Sequence, residues 1–395
     1  MNKTYIFIIF LLVVKLSIAQ YIKLSPKTQL SVLTCSPGHY LYNTFGHSTI
    51  RITDSVHNID YIFHYGTFDF NQKNFYWNFI KGRLNYMLAI QTFNGFFNEY
   101  KSEGRDVWEM NLNLTLYQKQ QIFNYLMWKS LPENKYYLYD FFYDNCATRV
   151  RDVFIKQLKD SLLYPQKQIN LTYRQAIAPY LRSRPWLRLG INILLGLPAD
   201  KKLTSYSAAF LPYYLDTLIM QSEIILPNGK KQKLVINKKK IIDSNFQLGN
   251  TPFLNPNNIF YAILLIIAII SYIEIKKQKN YHWIDFTWLL LSGIIGLIIL
   301  FMWFGTDHSP TKSNLNIIWA LPLNAIAAFG CLKNKFTKIF GYYMRLLFVY
   351  YLLFFIFMFF SPQQYDSALY PIILLFIVRT AIFYLKPFKK FEFNL

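Results

Sequence analysis

The sequence predicts an α+β domain outside a membrane, followed by an α-helical membrane domain of about five transmembrane helices. Hydrophobic residues make up 53% and aromatic residues 19% of the 395 residues, which is too apolar for an ordinary soluble protein of this size. The excess is concentrated in residues 256–395, whereas residues 20–255 alternate short strand-like and helix-like patterns. These two regions are the predicted membrane and extracytoplasmic domains.

The N-terminus has the pattern of a secretory signal. Residues 1–19 contain the positively charged Lys3, a short apolar run and a small residue, Ala19, at the expected cleavage position. Lys15 interrupts the run, so an uncleaved anchor is the alternative. In either case residues 20–255 are predicted to be exported.

Five apolar stretches in the C-terminal third are each close to the length that crosses about 30 Å of hydrocarbon. Lysine and arginine residues follow the first, third and fifth stretches, so these loops are predicted to face the cytoplasm. An odd number of spans with a cytoplasmic C-terminus again places residues 20–255 outside. The predicted spans are approximately 259–275, 286–304, 315–331, 346–360 and 369–385.

The net charge of +21 could indicate a nucleic-acid partner. Much of this charge lies in short clusters between apolar spans, where membrane topology explains it. No RNA-binding or DNA-binding motif is present. We therefore expect a membrane and no nucleic acid as the partner.

The first strands of the exported domain bring histidines together. A short buried strand is expected to end at Cys35, and residues 47–53 alternate in polarity as a second strand that begins with His47. Residues 60–65 form a third strand, and a turn centred on residues 55 and 56 would place His64 directly opposite His47. The hairpin is thus predicted to pair two imidazoles.

A second set of elements leads to a cysteine at a helix start. We expect a short helix at 91–101, a strand at 105–112 and a helix at 115–128. After Cys146, apolar residues recur at helical spacing, with Asp144 or Asn145 as the N-cap. A helix N-terminus favours an anion and a nearby imidazole can take the thiol proton, so we expect a thiolate nucleophile.

A disulfide and a metal site are the two other interpretations of these residues. Cys35 and Cys146 could form a disulfide in an oxidising compartment, although three cysteines are too few for a disulfide framework. The histidines at 39, 47, 57 and 64 lack the spacing of common metal motifs. No metal and no cofactor are therefore predicted.

Several segments together resemble the Lnb N-terminal periplasmic domain family. The resemblance rests on residues 33–38 (LTCSPG), 45–48 (FGHS), 65–70 (YGTFDF), 132–134 (PEN) and 143–149 (YDNCATR), and residues 210–212 and 308–311 fit full-length members. The order of histidine and cysteine also resembles circularly permuted NlpC-like folds, including the lecithin:retinol acyltransferase-like enzymes. The resemblance therefore implies a permuted papain-like (NlpC-like) domain.

By this resemblance, the protein is a lipoprotein N-acyltransferase of the bacterial cytoplasmic (inner) membrane. The acyl donor would be a phospholipid and the acceptor the α-amine of a diacylglyceryl-cysteine lipoprotein. Cys146 would be the nucleophile, His47 the base and His64 the third member, with Asp60, Asp69 or Asn145 as alternatives to His64. Asn145, Arg149 and His308 are candidate substrate-binding residues, and the aromatic-rich residues 68–79 are a candidate seat for acyl chains.

Two rival functions differ in class. A cysteine peptidase or peptidoglycan amidase of NlpC type would need no large membrane region. A non-catalytic membrane scaffold would use Cys146 only as a structural thiol.

Overall fold

The structure is a computed structural model that describes residues 22–331 and 337–385 of the chain. The predicted signal peptide at residues 1–19 lies outside the described residues, as do the lysines at 333, 335, 386, 389 and 390. In the described ranges, the strands are β1 (Gln29–Cys35), β2 (His47–Asp54), β3 (Ile59–Thr67), β4 (Asn85–Thr92), β5 (Val107–Leu112), β6 (Tyr136–Leu138), β7 (Leu162–Leu163), β8 (Gln168–Thr172), β9 (Lys202–Thr204), β10 (Glu223–Ile225), β11 (Lys231–Lys233) and β12 (Val235–Ile242).

One seven-stranded sheet organises the N-terminal domain. Its strand order is β12-β5-β1-β2-β3-β4-β6, and each neighbouring pair is antiparallel. The helices of this domain are α1 (Phe75–Lys81), α2 (Phe93–Ser102), α3 (Leu116–Ser130), α4 (Cys146–Leu158), α5 (Tyr173–Ile177), α6 (Pro185–Leu194), α7 (Ser205–Ala208) and α8 (Pro212–Gln221). The domain is therefore α+β, as predicted.

The two faces of the sheet have separate cores. On one face, Phe96 and Tyr100 of α2 pack with Leu33 and Val107. The other face carries the larger core, which the helices α3 and α4 cover. Alternation along each strand separates the two sets of side chains, because successive residues point to opposite faces.

The predicted pairing of the two histidines is wrong by two residues. His64 pairs with Thr49, and the last pair before the turn is Asp54 with Ile59. The turn therefore holds residues 55–58, with Asn58 at a positive φ of 53°, and its centre lies one residue later in the chain than the sequence predicted. A shift by two residues preserves the face on which each side chain lies, so His47 and His64 remain diagonal neighbours.

The membrane domain follows as α9 (Pro256–Lys276), α10 (His282–Phe304), α11 (Leu323–Gly330), α12 (Thr337–Phe357) and α13 (Leu369–Leu385). In the described part of the chain, the three helices long and apolar enough to cross a membrane are α9, α10 and α12. α13 is a shorter apolar helix. These helices correspond to four of the five predicted spans.

The remaining predicted span, residues 315–331, is not one helix. It consists of a 3-10 turn (Leu315–Ile318), a break, and the eight-residue helix α11. Pro322 at the break has no N–H and cannot continue the preceding turn. Two tyrosine hydroxyls of α12 donate to carbonyls freed at the break, Tyr350 to Ile318 at 2.6 Å and Tyr351 to Trp319 at 3.1 Å. Such partners are what allow a broken segment inside an apolar helix bundle.

A buried ion cluster joins three of the membrane helices. Arg379 of α13 contacts Asp285 of α10 at 2.8 Å and Glu274 of α9 at 2.8 Å, and it donates to Ser271 at 3.0 Å. All four side chains are buried. Removing one partner would leave uncompensated charge away from water, so this cluster fixes how the helices associate.

The backbone of α10 at Gly296 lies very close to the backbone of the broken segment. A Cβ placed on Gly296 would lie 2.0 Å from the Ala320 carbonyl oxygen, whereas one on Gly190 in α6 would meet no atom within 4 Å. We expect Gly296→Ala to lower the free energy of unfolding by roughly 1–3 kcal/mol, because backbone cannot move aside as a side chain can. Gly190→Ala is the matched control and should be neutral or slightly stabilising. Thermal unfolding in detergent measures both, and equal melting temperatures would contradict the packing described.

Candidate active site

The first turn of α4 fixes the position of the Cys146 thiol. Asn145 is the N-cap, and its side-chain oxygen accepts from the backbone N–H groups of Ala147 at 2.9 Å and Thr148 at 3.0 Å. Its side-chain nitrogen donates to the carbonyls of Phe141 at 2.7 Å and Phe210 at 2.8 Å. The hydrogen bonds of Asn145 thus hold the helix start in place. Its predicted roles in substrate binding and in orienting His47 stay predictions.

A bulge in β3 brings the sheet close to this thiol. The pairing of β3 with β4 shifts register between His64 and Thr67, and Gly66 in the bulge has a φ of +90°. A Cβ on Gly66 would lie 3.5 Å from the Cβ of Cys146. Gly66 therefore provides both the backbone conformation and the room that Cys146 needs against the strand.

His47 and His64 form a contacting pair. Nε2 of His47 lies 3.4 Å from Nδ1 of His64, and the rings stack with centroids 5.6 Å apart at an interplanar angle of 14°. Because Nε2 of His47 faces His64, Nδ1 is the ring nitrogen left for a second partner. The structure thus brings the two predicted histidines together, His47 on β2 and His64 on β3, the strand that contacts Cys146.

Two further residues lie near the site: Cys35, which the sequence offered as a disulfide partner of Cys146, and Arg105, which was given no role from sequence. Cys35 pairs directly with His47 across β1 and β2, and it is a free thiol, as is Cys146. Arg105, in the loop before β5, is buried; it donates to the Ser36 carbonyl at 2.9 Å and to Glu103 at 3.0 Å. No local motif identifies Arg105, because it reaches the site only through the folded sheet.

The electrostatics differ from the predicted resting thiolate. Burial raises the pKa of Cys146, while hydrogen bonding from the backbone N–H groups of Ser48, Ala147 and Cys146 itself and the charge of Arg105 oppose this rise. Burial also lowers the pKa of His64 to about 4, and burial together with His64 and Arg105 holds the pKa of His47 well below its usual range. Thiol and imidazoles are therefore neutral at pH 7, since burial disfavours each charged form.

The thiol of Cys35 is also protonated. Burial raises the pKa of Cys35 to about 12, against the opposing charge of Arg105. Cys35 is buried, whereas Cys146 is partly exposed and receives backbone hydrogen bonds that oppose the rise in its pKa. Between the two cysteines of this region, Cys146 is thus the better candidate.

Arg149 lies beside the site but is already paired. Its guanidinium contacts both carboxylate oxygens of Asp144 at 2.6 Å and lies 3.8 Å from the centroid of the Tyr137 ring. Two parallel hydrogen bonds and a stacked ring hold the guanidinium in one orientation. Its predicted contact with substrate stays a prediction.

His308 lies in a docking loop, defined as residues 305–314, that joins the membrane domain to the site. Nε2 of His308 lies 3.2 Å from the carbonyl oxygen of Phe79 and 3.1 Å from that of Ile80, near the end of α1. Ser309 of the loop donates to Asp140, whose backbone pairs with Asp144 just before the thiol. The structure gives His308 a role in docking, and its predicted role in substrate binding stays a prediction.

The alternative third residues have other partners. Asp60 forms an ion pair with Arg51 at 2.8 Å, and the Asp69 carboxylate accepts from the Asn71 backbone N–H at 2.9 Å in an exposed turn. His57 lies 3.0 Å from Asp54 at the hairpin turn. Within residues 22–331 and 337–385, no group of three or more metal-binding side chains is arranged to hold a metal ion.

Comparison with known families agrees with this two-part architecture. Residues 21–178 match the Lnb N-terminal periplasmic domain, and residues 249–390 match the Lnb transmembrane domain. The chain belongs to the Lnb family. Family membership confirms the resemblance and fits a membrane protein with a periplasmic domain. No curated protein and no solved structure matches the chain at a significant level.

The neutral resting site predicts the pH dependence of thiol alkylation. The rate at which iodoacetamide labels Cys146 in the detergent-solubilised protein should rise continuously through pH ~8.5, the ordinary thiol pKa, without an acidic plateau. Peptide mass spectrometry separates Cys146 from the other two cysteines. His47→Gln should leave the profile unchanged in shape, since a neutral imidazole does not stabilise a thiolate by charge. A plateau below pH 7 that His47→Gln abolishes would contradict this and indicate a preformed ion pair.

Proposed function

We propose that this protein is a lipoprotein N-acyltransferase. It transfers a fatty acyl chain from a phospholipid to the α-amine of a diacylglyceryl-cysteine lipoprotein through a thioester on Cys146. The observation that carries the proposal is the free thiol at the start of α4, beside a strand histidine pair, in a domain docked on apolar membrane helices. Membership of the Lnb family supports the same reaction class.

In the first half-reaction, Cys146 attacks the carbonyl carbon of a phospholipid ester. The thiol proton passes to Nδ1 of His47 as the carbon–sulfur bond forms, so no resting thiolate is needed. His64 receives the hydrogen bond from Nε2 of His47 and thereby sets the tautomer. The carbon–oxygen bond of the ester then breaks, and the proton on His47 goes to the oxygen of the leaving lysophospholipid.

In the second half-reaction, the lipoprotein α-amine attacks the thioester. A carbon–nitrogen bond forms, the carbon–sulfur bond breaks, and a proton from the amine returns to sulfur by way of His47. The backbone N–H groups of Ser48 and Cys146, which already act on the sulfur, are candidates to stabilise the oxyanion in both steps. Both substrates are confined to one bilayer, which supplies proximity.

We also propose a permuted papain-like fold for the N-terminal domain and five membrane crossings for the C-terminal domain. A strand histidine followed by a helix-start cysteine on an antiparallel sheet is the arrangement of a permuted papain-like domain. Residues 315–331, although broken at Pro322, would cross the membrane as the third of five spans. Five crossings would leave the C-terminus in the cytoplasm. The protein would then lie in the bacterial cytoplasmic membrane with its catalytic domain in the periplasm.

The proposed mechanism predicts that lipoproteins lack their third acyl chain in cells whose enzyme has no Cys146 thiol. We expect lipoproteins from cells that carry Cys146→Ala to be diacylated, and those from cells with the wild-type protein to be triacylated, at matched protein abundance and with no redundant enzyme. Cys331→Ala, which removes a buried thiol in the membrane domain, is the matched control and should retain triacylation. Intact mass spectrometry of lipoprotein N-termini measures the difference. Unchanged triacylation with Cys146→Ala would refute the mechanism, and release of cell-wall peptides instead would favour an NlpC-type hydrolase.

A further inference from the structure

The short helix α1 presents apolar side chains that stay exposed in the described part of the chain. Tyr76 is 76% exposed and Trp77 51% exposed, and Phe79 and Ile80 are also exposed. None of the seven residues of α1 is buried. An apolar patch of this kind on a helix without a core contact usually marks an interaction surface.

The position of α1 relative to the membrane helices identifies what would cover this patch. The Trp77 ring stacks on Phe301, in the last turns of α10, with centroids 6.3 Å apart. The Asp307 backbone N–H donates to the Lys81 carbonyl at 2.8 Å, and Arg83 contacts Asp307 at 2.5 Å. α1 is therefore fixed beside the extracytoplasmic end of an apolar span. Aromatic side chains are enriched at this level of a bilayer.

A continuous series of ring contacts leads from α1 toward the thiol. This aromatic strip consists of Phe75, Phe68, Tyr86 and Tyr139, with successive centroids 5.8, 5.2 and 4.4 Å apart. Tyr137 is next to Tyr86, at 6.5 Å, and its hydroxyl would lie 4.0 Å from a Cβ on Gly66. The same Cβ would lie 3.5 Å from Cys146, so the strip ends at the candidate nucleophile.

The electrostatics of the two tyrosines agree with this placement. Burial raises the pKa of both Tyr137 and Tyr139, and the charge of a Cys146 thiolate raises each further. Two titratable groups affect each other in this way when they lie close together and away from water. The inner end of the aromatic strip is therefore close to the sulfur.

We propose that α1 lies in the outer-leaflet interface of the bilayer and that the aromatic strip guides one acyl chain of a glycerophospholipid to Cys146. This inference rests on the proposed acyl transfer and names the surface that binds its donor. An acyl chain suits the strip because the path is apolar and begins beside a membrane span. Its ester carbonyl would reach Cys146 while the remainder of the lipid stays in the leaflet.

The first test uses full-length protein in phospholipid nanodiscs. We expect the double variant Tyr76→Asp/Phe79→Asp to slow lysophospholipid release by at least about tenfold, because it removes apolar surface that would hold α1 in the interface. Tyr117→Asp on α3, where Tyr117 is 71% exposed, is the matched control and should keep the wild-type rate. A water-soluble short-chain ester needs no strip, so the double variant should turn it over as the wild type does. Equal release of long-chain lysophospholipid by the double variant and wild type would overturn the inference.

The second test does not depend on turnover. A phospholipid with a photoreactive acyl chain, incorporated in the nanodisc, should label peptides from residues 68–86 in both the wild type and the Cys146→Ala variant. Absence of label from these peptides would overturn the inference. Labelling without lysophospholipid release by the wild type would instead refute the proposed acyl transfer and retain the strip as a lipid-binding surface.

Discussion

The position of the Cys146 thiol depends on the hydrogen bonds of Asn145. This side chain caps α4 through two backbone N–H groups and ties the helix start to two separate loops through the carbonyls of Phe141 and Phe210. Loss of such a cap commonly costs about 1 kcal/mol. Here it would also move the helix start relative to the bulge at Gly66, and so change the environment of the sulfur.

The position of this site relative to the membrane helices depends on the docking loop. Its residues contact α1 through His308, the turn before Cys146 through Ser309, and the segment after α6 through the Pro310 carbonyl, which accepts from Gly196 at 2.9 Å. The membrane domain thus does more than anchor the periplasmic domain. In the proposed transfer between two membrane substrates, it would hold the aromatic strip and the thiol in fixed register with the lipid interface.

The same burial that shapes the site determines its chemistry. A helix N-terminus and a nearby imidazole suggest a thiolate, but burial raises the pKa of Cys146 against the opposing backbone N–H groups and the charge of Arg105. A neutral pair can still react if the proton moves as the substrate arrives. A protonated resting thiol would also limit oxidation of Cys146 in the periplasm, since the thiolate is the reactive form.

Local signals in the sequence predicted much of the fold and several of the residues that the structure brings together at the candidate site. The spacing of apolar residues after Cys146 and the Asn145 cap predicted where α4 begins, and alternation predicted that His47 and His64 share a face. The register was wrong because the turn is centred on residues 56 and 57, one residue later than predicted, and this moves every cross-strand pair by two residues. The span at 315–331 was predicted as one helix because composition does not show that neighbouring tyrosines can satisfy a break at Pro322.

Other features depend on long-range contacts that no local pattern reveals. Arg105 acts on the site only because the loop before β5 returns beside Ser36. His308 contacts α1 only because the membrane helices place it there, more than two hundred residues along the chain. Sequence spacing predicts elements and faces, whereas these contacts follow from how the elements assemble.

Direct detection of an acyl-enzyme is the most decisive measurement. Purified protein is incubated with phospholipid in the absence of acceptor, and Cys146 is examined by peptide mass spectrometry. The mechanism predicts one fatty acyl chain on Cys146 that hydroxylamine removes and that a diacylglyceryl-cysteine peptide takes up as an amide. An unmodified Cys146, together with transfer of the chain to the peptide, would contradict a thioester mechanism.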